Sequence, residues 1–459
     1  MTKKNKTVIA LTAVLAVLAA AAALLMLQNR CRQFISVEDT AYPADAEYLD
    51  LRGTGISQQH YEALCGKLPE CQVLWDVPFQ GKTLPSDTES ITVTTLSAED
   101  VQQLGYFPNL REMDARDCRD YENIMLVLEK RPRCQVDYQV EIGGRLYGKQ
   151  TREIDLSSGE SSGQELLQRL AYLPELQKVH LDEPLIPAAE LGKLLETYGK
   201  IAIDWDKTLF GSRHNSGEEF LDVSGMHFDH IVEVMKQAAY LPNLKQLDML
   251  DSGFSNETMK TFRDQVRDHY KVVFNVRVGS MNLRTDIKDF FPDRDHGKVR
   301  PWQTYNLRYC EDLICVDVGH LGFKDLDWVA GTPHLKYLIM SDGAVQDLTP
   351  LGQLQELEFL ELFMTGVVDT TPLLTCRSLR DLNLGVTPLG DLTPLTQMTW
   401  LEKLWVNRTP INAAEQKLLR ESLPATYLEF EEYYPTWGGW RDMPRYFDMR
   451  DALRAPYMR

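Results

Sequence analysis

Apolar positions in the C-terminal half of the chain recur every 22 residues. Leu313, Leu335, Leu357, Leu379, Leu401 and Leu423 form one column. Three residues on lie Val316, Leu338, Leu360, Leu382 and Leu404, and two further on Val318, Met340, Leu362, Leu384 and Val406. Phe323, Val345, Val367, Leu389 and Ile411 follow, then Val329, Leu351, Leu373 and Leu395. One 22-residue segment cannot bury these side chains alone, whereas stacked copies share a continuous core, so the spacing predicts an α/β solenoid. Within L-x-x-L-x-L the period is two, as a short strand requires. The leucines point inward and the intervening residues line the open, concave face of a parallel β-sheet. Thr349-Pro350, Thr371-Pro372 and Thr393-Pro394 recur on the return path. Threonine suits the cap of a helical turn there, and proline its first position, whose N–H is unpaired in any case.

The N-terminal half repeats more loosely. CQVLWDVPFQGKT from Cys71, CQVDYQVEIGGRL from Cys134 and KIAIDWDKTLFGS from Lys200 align, with KVVFNVRVGS from Lys271 as a weaker fourth, at spacings of 63, 66 and 71 residues. Each of the first three precedes a second strand-like piece (ITVTT, IDLSS or LDVSG), then an amphipathic helix ending in Phe107-Pro108-Asn109-Leu110, Leu173-Pro174-Glu175-Leu176 or Leu241-Pro242-Asn243-Leu244. A third strand and a second helix, such as Ser255 to His269, complete the unit. The pattern leaves open whether the first two strands of a unit are parallel or form a hairpin. Residues 281–312 break both periods and read as a junction or loop.

The 22-residue columns, with repeats such as LEFLELFMTGVVDTTPLLTCRS, resemble the internalin-like bacterial leucine-rich repeats over Leu313 to Ser422. The resemblance implies a solenoid with a concave parallel sheet, a role in recognition, and a bacterial source. Where that family carries an asparagine ladder this chain has Leu321, Gly343, Thr365, Thr387 and Thr409. Threonine hydroxyls can bond neighbouring backbone; Leu321 and Gly343 cannot, so the first two coils are expected to be less regular.

A third pattern lies at the N-terminus. Val8–Leu27 is 20 residues without a charge, ten of them Val, Ile or Leu and eight Ala. At ~1.5 Å per residue it spans about 30 Å, a bilayer core. Lys3, Lys4 and Lys6 precede it and Arg30 and Arg32 follow; the positive-inside rule places the N-terminus in the cytoplasm and the bulk outside. The alternative is a signal peptide cleaved after Ala21-x-Ala23, but Leu24-Leu25-Met26-Leu27 continues the apolar run past that site. Arg30 before Cys31 argues against a lipoprotein. The expected organisation is a basic stub (1–7), a membrane anchor (8–27), irregular helix-containing repeats (33–280), a junction (281–312), regular repeats (313–422) and an aromatic C-terminal cap (423–459), with the protein single-pass in the plasma membrane.

Charge narrows the partners. Five of the 49 basic residues lie in the first 32 positions, which leaves 44 against 67 acidic ones. Such a surface repels phosphate backbones and speaks against nucleic acid. Eight cysteines in 459 residues are too few for a disulfide scaffold. Cys376 shares a column with Leu354 and Met398 and reads as a buried thiol; Cys65 and Cys71 read as unpaired, with a disulfide between them as the alternative.

Three constellations invite chemistry. Asp204-Trp205-Asp206-Lys207-Thr208 after an apolar strand resembles the first motif of haloacid-dehalogenase-type phosphatases, which needs two carboxylates with distinct roles and Mg²⁺. It aligns, however, with segments that lack the motif, and is read as structural. His227-Phe228-Asp229-His230 has no third ligand and reads as the start of a helix. Asp325, Asp347, Asp369 and Asp391 form a ladder in which each carboxylate is expected to accept backbone N–H groups of the convex turn, not to hold calcium. No catalytic residue, cofactor or metal is therefore assigned.

The open face is more telling. It carries Cys315 and Asp317, Tyr337 and Ile339, Phe359, Glu361, Phe363 and Met364, Asp381 and Asn383, and Lys403 and Trp405. Large aromatics on a surface expected to be wet mark an interaction site. Tyr337, Ile339, Phe359, Glu361, Phe363, Asp381, Lys403 and Trp405 are the candidate ligand-binding residues. The competing expectation is that a loop, another subunit or the C-terminal tail covers them. Residues 433–459 hold seven aromatics and are expected to cap the solenoid's open end, with a helix starting at Asp442-Met443-Pro444 and Trp437-Gly438-Gly439-Trp440 as a lesser candidate for ligand contact. The expected function is non-catalytic cell-surface recognition or adhesion through a protein or peptide ligand; the alternative is a scaffold subunit of a cell-envelope complex.

Overall fold

The computed structural model describes residues 34–292, 299–436, 439–442 and 444–454, together with Ala19. The expected anchor Val8–Leu27 lies outside the described residues apart from Ala19. Among the described residues no helix is long and apolar enough to cross a membrane. The chain forms two compact units, 1–206 and 207–459.

In the first unit strands pair in parallel groups. Tyr48–Asp50 pairs with Gln72–Leu74. Ser90–Thr92, Glu112–Ala115 and Gln135–Ile142 form a second group, and Glu153–Leu156, Lys178–Asp182 and Ala202–Leu209 a third. The segments beginning at Cys71 and Cys134 thus close a group; they do not open one. Each then continues into its own antiparallel hairpin, Asp76–Phe79 with Lys82–Pro85 and Gln135–Ile142 with Arg145–Gly148. The turns explain this. Gln80 and Gly81, and Gly143 and Gly144, all have φ between +50° and +73°, the left-handed pair that matches the twist of a two-residue hairpin. A Cβ on Gly143 would also sit 2.8 Å from the Glu160 carbonyl oxygen. At the hairpin base the Trp75 N–H donates to Ser86 Oγ (3.1 Å) and the Trp75 carbonyl accepts the Ser86 N–H (2.8 Å). Serines start the helices: Ser97 Oγ accepts the Asp100 N–H while Asp100 accepts the Ser97 N–H, the reciprocal cap that satisfies two orphan donors.

The second unit begins the same way. Phe220–Asp222, Gln246–Asp248 and Lys271–Val273 are parallel, and a hairpin follows, Asn275–Val278 with Met281–Arg284. Phe274 and Thr285 exchange the same pair of bonds as Trp75 and Ser86. The stretch read as a junction carries the second hairpin strand, the strand Asp289–Phe290 and a 3₁₀ segment Pro301–Tyr309 with Leu307 and Tyr309 buried. A seven-stranded parallel sheet follows: Asp289–Phe290, Cys315–Asp317, Tyr337–Ile339, Phe359–Glu361, Asp381–Asn383, Lys403–Trp405 and Tyr427–Glu429. Its register aligns Cys315, Tyr337, Phe359, Asp381 and Lys403 side by side. The leucine columns merge into one continuous buried core from Leu209 to Phe430.

The convex side returns through 3₁₀ segments at Asp327–Gly331, Thr349–Gln353 and Thr371–Thr375 and a short helix at Thr393–Thr396. Three aspartates of the ladder cap these turns in the way expected of them. Asp347, Asp369 and Asp391 Oδ1 accept the N–H groups of Thr349, Thr371 and Thr393, each at 2.8 Å. At the absent asparagine ladder, Thr365, Thr387 and Thr409 hydroxyls donate to the carbonyls of Leu362, Leu384 and Val406. The residues just before them, Met364, Val386 and Arg408, share a left-handed φ of 53–59°.

Two outcomes follow. Leu360→Ala opens a hole in fully buried packing and is expected to cost about 2–5 kcal/mol, measured by chemical denaturation. Hydrogen bonds from the threonines hold the carboxyls of Asp347, Asp369 and Asp391 below the ordinary value of 3.8. Because their folded pKa lies below the unfolded one, their contribution is present above about pH 4 and lost as pH falls through the folded values. Amide exchange at Thr349, Thr371 and Thr393 is expected to lose protection in acid before the strands do; uniform loss would contradict it.

Candidate functional site: the concave face and its strap

The face expected to be wet is buried. Ile339, Phe359, Glu361, Phe363, Asp381, Lys403 and Trp405 have little or no exposure and Tyr337 is half-buried, while Met364 stays exposed. The cover is the chain's own C-terminal segment, whose described residues, 430–436, 439–442 and the helix Pro444–Arg454, lie on this side of the sheet. We call it the strap. Its helix starts where Pro444 predicts. The strap lies along the concave face, beyond the closing strand Tyr427–Glu429.

The strap builds a second apolar cluster on the open side of the sheet. Trp440, fully buried, packs with Cys315, Ile339, Phe359, Trp405 and Met449, and Tyr337 and Tyr446 lean against them. The Trp440 ring centroid lies 5.0 Å from that of Phe359 and 5.8 Å from that of Trp405, within the range of favourable aromatic pairing.

Buried charge fixes the position of this cluster. Glu361 is fully buried. Its carboxylate accepts from Ser341 Oγ (2.8 Å), Trp440 Nε1 (2.7 Å), and Arg441 Nη2 (2.7 Å) and Nε (3.3 Å). Asp381, equally buried, accepts from Arg445 Nη1 at 2.7 Å, and Arg445 Nη2 reaches Glu402 at 3.0 Å. Burial still pushes the Asp381 carboxyl above the ordinary range against the pull of Arg445. Lys403 lies over the Trp405, Tyr427 and Trp440 rings, and burial lowers its pKa.

The face also reads main chain. Lys403 Nζ donates to the Gly439 carbonyl (2.5 Å), Asn383 Nδ2 to that of Pro435 (2.6 Å) and Asn407 Nδ2 to that of Glu432 (2.8 Å). Two adjacent coils thus hold three carbonyls of a passing peptide, one through Asn383 and two through Lys403 and Asn407. Arg441 and Arg445 escaped the sequence reading. The available signal was their sign, since two arginines in the aromatic tail match two carboxylates on adjacent coils of the face.

The other candidates stand apart. Asp204 is engaged by His180 Nδ1 and lies 3.7 Å from Lys178 Nζ, so it serves a structural ion pair. His230 precedes the helix Ile231–Ala238 and His227 bonds the Gly225 carbonyl. Among the described residues no group of three or more His, Cys, Asp or Glu side chains is placed to hold a metal ion. Cys376 is a buried thiol, and Cys65 and Cys71 are both free. Trp437 lies outside the described residues.

One parallel strand per coil, inward leucines and a short convex return define a solenoid-like leucine-rich-repeat fold. No family model matches the sequence, and no curated protein does. Among solved structures the chain is similar to an internalin of Listeria monocytogenes, at 13% identity over 78% of this chain and 87% of that one, with a TM-score of 0.25. It is similar to internalin C2 of the same organism at 17%, covering 56% and 78%, with a TM-score of 0.21. A leucine-rich-repeat protein of Leptospira interrogans matches at 16%, covering 84% and 96%, with a TM-score of 0.27. At such values the fold assignment rests on the coil geometry above.

Breaking a buried ion pair while both sides stay buried costs about 3–5 kcal/mol. Lifting the strap lets water reach Glu361 and avoids that cost. Trp440→Ala and Arg441→Ala are therefore expected to release the strap and leave the repeats folded. Limited proteolysis should then cut between residues 430 and 454 at least ten-fold faster, with an unchanged far-ultraviolet spectrum. Cleavage at the parent rate, or loss of the main unfolding transition, would contradict this.

Proposed function

We propose that the protein is a non-catalytic recognition protein whose concave face takes a protein or peptide ligand. In this reading Val8–Leu27 anchors it in the plasma membrane of a bacterium and the bulk of the chain lies outside. The observation that carries the reading is that the face already handles a peptide. It holds three main-chain carbonyls through Asn383, Asn407 and Lys403, and an aromatic side chain between Phe359 and Trp405. Rigid strands present these groups, so little ordering cost falls on the receptor when it binds.

A second reading is favoured by the depth of Trp440. If the strap never lifts, the chain is a scaffold within an envelope assembly and its other surfaces make the contacts.

Partner capture from intact cells separates the two. The full chain is compared with Trp440→Ala/Arg441→Ala and with a Tyr337→Ser/Phe359→Ser/Trp405→Ser variant shown to be folded. The recognition reading expects a partner enriched by strap release and lost with the three serines. Equal capture by all three would place the contact elsewhere and support the scaffold.

A further inference from the structure

The concave face bears a specific chemistry once the strap is subtracted. Glu358, Glu361, Asp381 and Glu402 all pair with strap arginines; Glu358 and Glu402 also have Lys336 and Arg380 of the repeats at 3.8 and 3.7 Å, whereas the buried pair Glu361 and Asp381 has only Lys403 nearby on the sheet. An uncovered face is thus acidic with an aromatic floor. With the strap lifted these carboxylates are hydrated but have lost their arginine partners, so the face is open to another cationic occupant.

The strap is also an incomplete occupant. Asp381 Oδ1 and Trp405 Nε1 are buried without a hydrogen-bond partner among the described residues. In the same column as Glu361, two strands away with Ile339 between, Asp317 has no counter-cation within ion-pair distance among the described residues. Its Oδ1 accepts only the Gly319 N–H, at 3.1 Å. In front of it opens a cavity of about 230 Å³ lined by Phe291, Ile339, Ser341 and Arg441. A Cβ on Gly319 would come within 3.3 Å of Asp317 Oδ1, so the glycine keeps this carboxylate approachable. His320 and Arg441 also border the cavity and act on Asp317 at longer range, but Arg441 is paired with Glu361, so among the described residues Asp317 has no ion pair of its own.

We propose that the strap is an exchangeable stand-in for the ligand, and that the ligand is a basic aromatic peptide. It carries an aromatic residue followed directly by arginine, a second arginine four positions after the first, and a further cationic group that enters the Asp317 cavity. This rests on the recognition reading above and names its partner. The cavity contact and the unsatisfied polar atoms are what such a peptide gains over the strap. Arginine is specified over lysine because Glu361 is gripped through two guanidinium nitrogens, a fork that an ammonium cannot supply.

The test uses a fluorescent peptide of residues 430–454 and the full chain. Binding to the Trp440→Ala/Arg441→Ala/Arg445→Ala variant, whose own strap is released, is expected to be at least ten-fold tighter than to the parent. Adding Glu361→Ala and Asp381→Ala should abolish it, and a peptide with both arginines changed to lysine should bind at least ten-fold more weakly. Agmatine, as a bare guanidinium-and-ammonium probe, should bind the parent and lose that binding in Asp317→Asn. Equal affinity for the arginine and lysine peptides, or agmatine binding that ignores Asp317→Asn, would overturn the proposed chemistry. No peptide binding, while captured partner is still lost with the three serines, would leave recognition standing and remove the basic aromatic ligand. Failure of both would remove the recognition reading itself.

Discussion

A carboxylate buried against a leucine-rich sheet must be given hydrogen bonds and a counter-charge, and Glu361 is that carboxylate here. Its desolvation far exceeds what a surface ion pair returns. Trp440, Arg441 and Ser341 therefore converge on one side chain. Once they do, the rest of the strap follows. Trp440 is placed between Phe359 and Trp405, Arg445 is brought over Asp381, and the carbonyls of Pro435 and Gly439 just before Trp440 fall within reach of Asn383 and Lys403. The concave face becomes a second interior, with the same sheet packed by leucines on one side and by its own tail on the other.

This changes what the aromatic face means. Read as an isolated sheet, Tyr337, Phe359 and Trp405 look like an exposed anchor site. In the folded chain the strap covers them, and in the proposed reading the site's availability is set by an intramolecular equilibrium. A tethered occupant competes at a high effective concentration. A partner therefore has to offer contacts the strap lacks, and the Asp317 cavity is where the structure leaves room for them.

The fold of the C-terminal repeats was legible because a periodic pattern needs no long-range information: Leu313, Leu335, Leu357 and their successors state the coil length and the inward face at once. The site residues were legible as a column, and their burial was not. What covers Glu361 lies 79 and 80 residues downstream, at Trp440 and Arg441. No local spacing reports a contact at that distance; only matching charge sign hinted at it. In the N-terminal half the strands were found and their grouping was shifted by one. Gly143-Gly144 announces a tight hairpin, but the equivalent Gln80-Gly81 does not, since glutamine rarely takes a left-handed φ. The segment from Cys71 therefore read as the opening of a unit, when it closes one and turns back on itself.

The central claim is that the strap opens while the repeats beneath it stay folded. Hydrogen–deuterium exchange on the full chain measures this directly. The account predicts that amides of residues 430–454 exchange by a local opening, well ahead of the strands Tyr337–Ile339 through Lys403–Trp405. Strap and strands exchanging together, at the rate of global unfolding, would contradict it and make the strap a fixed part of the core.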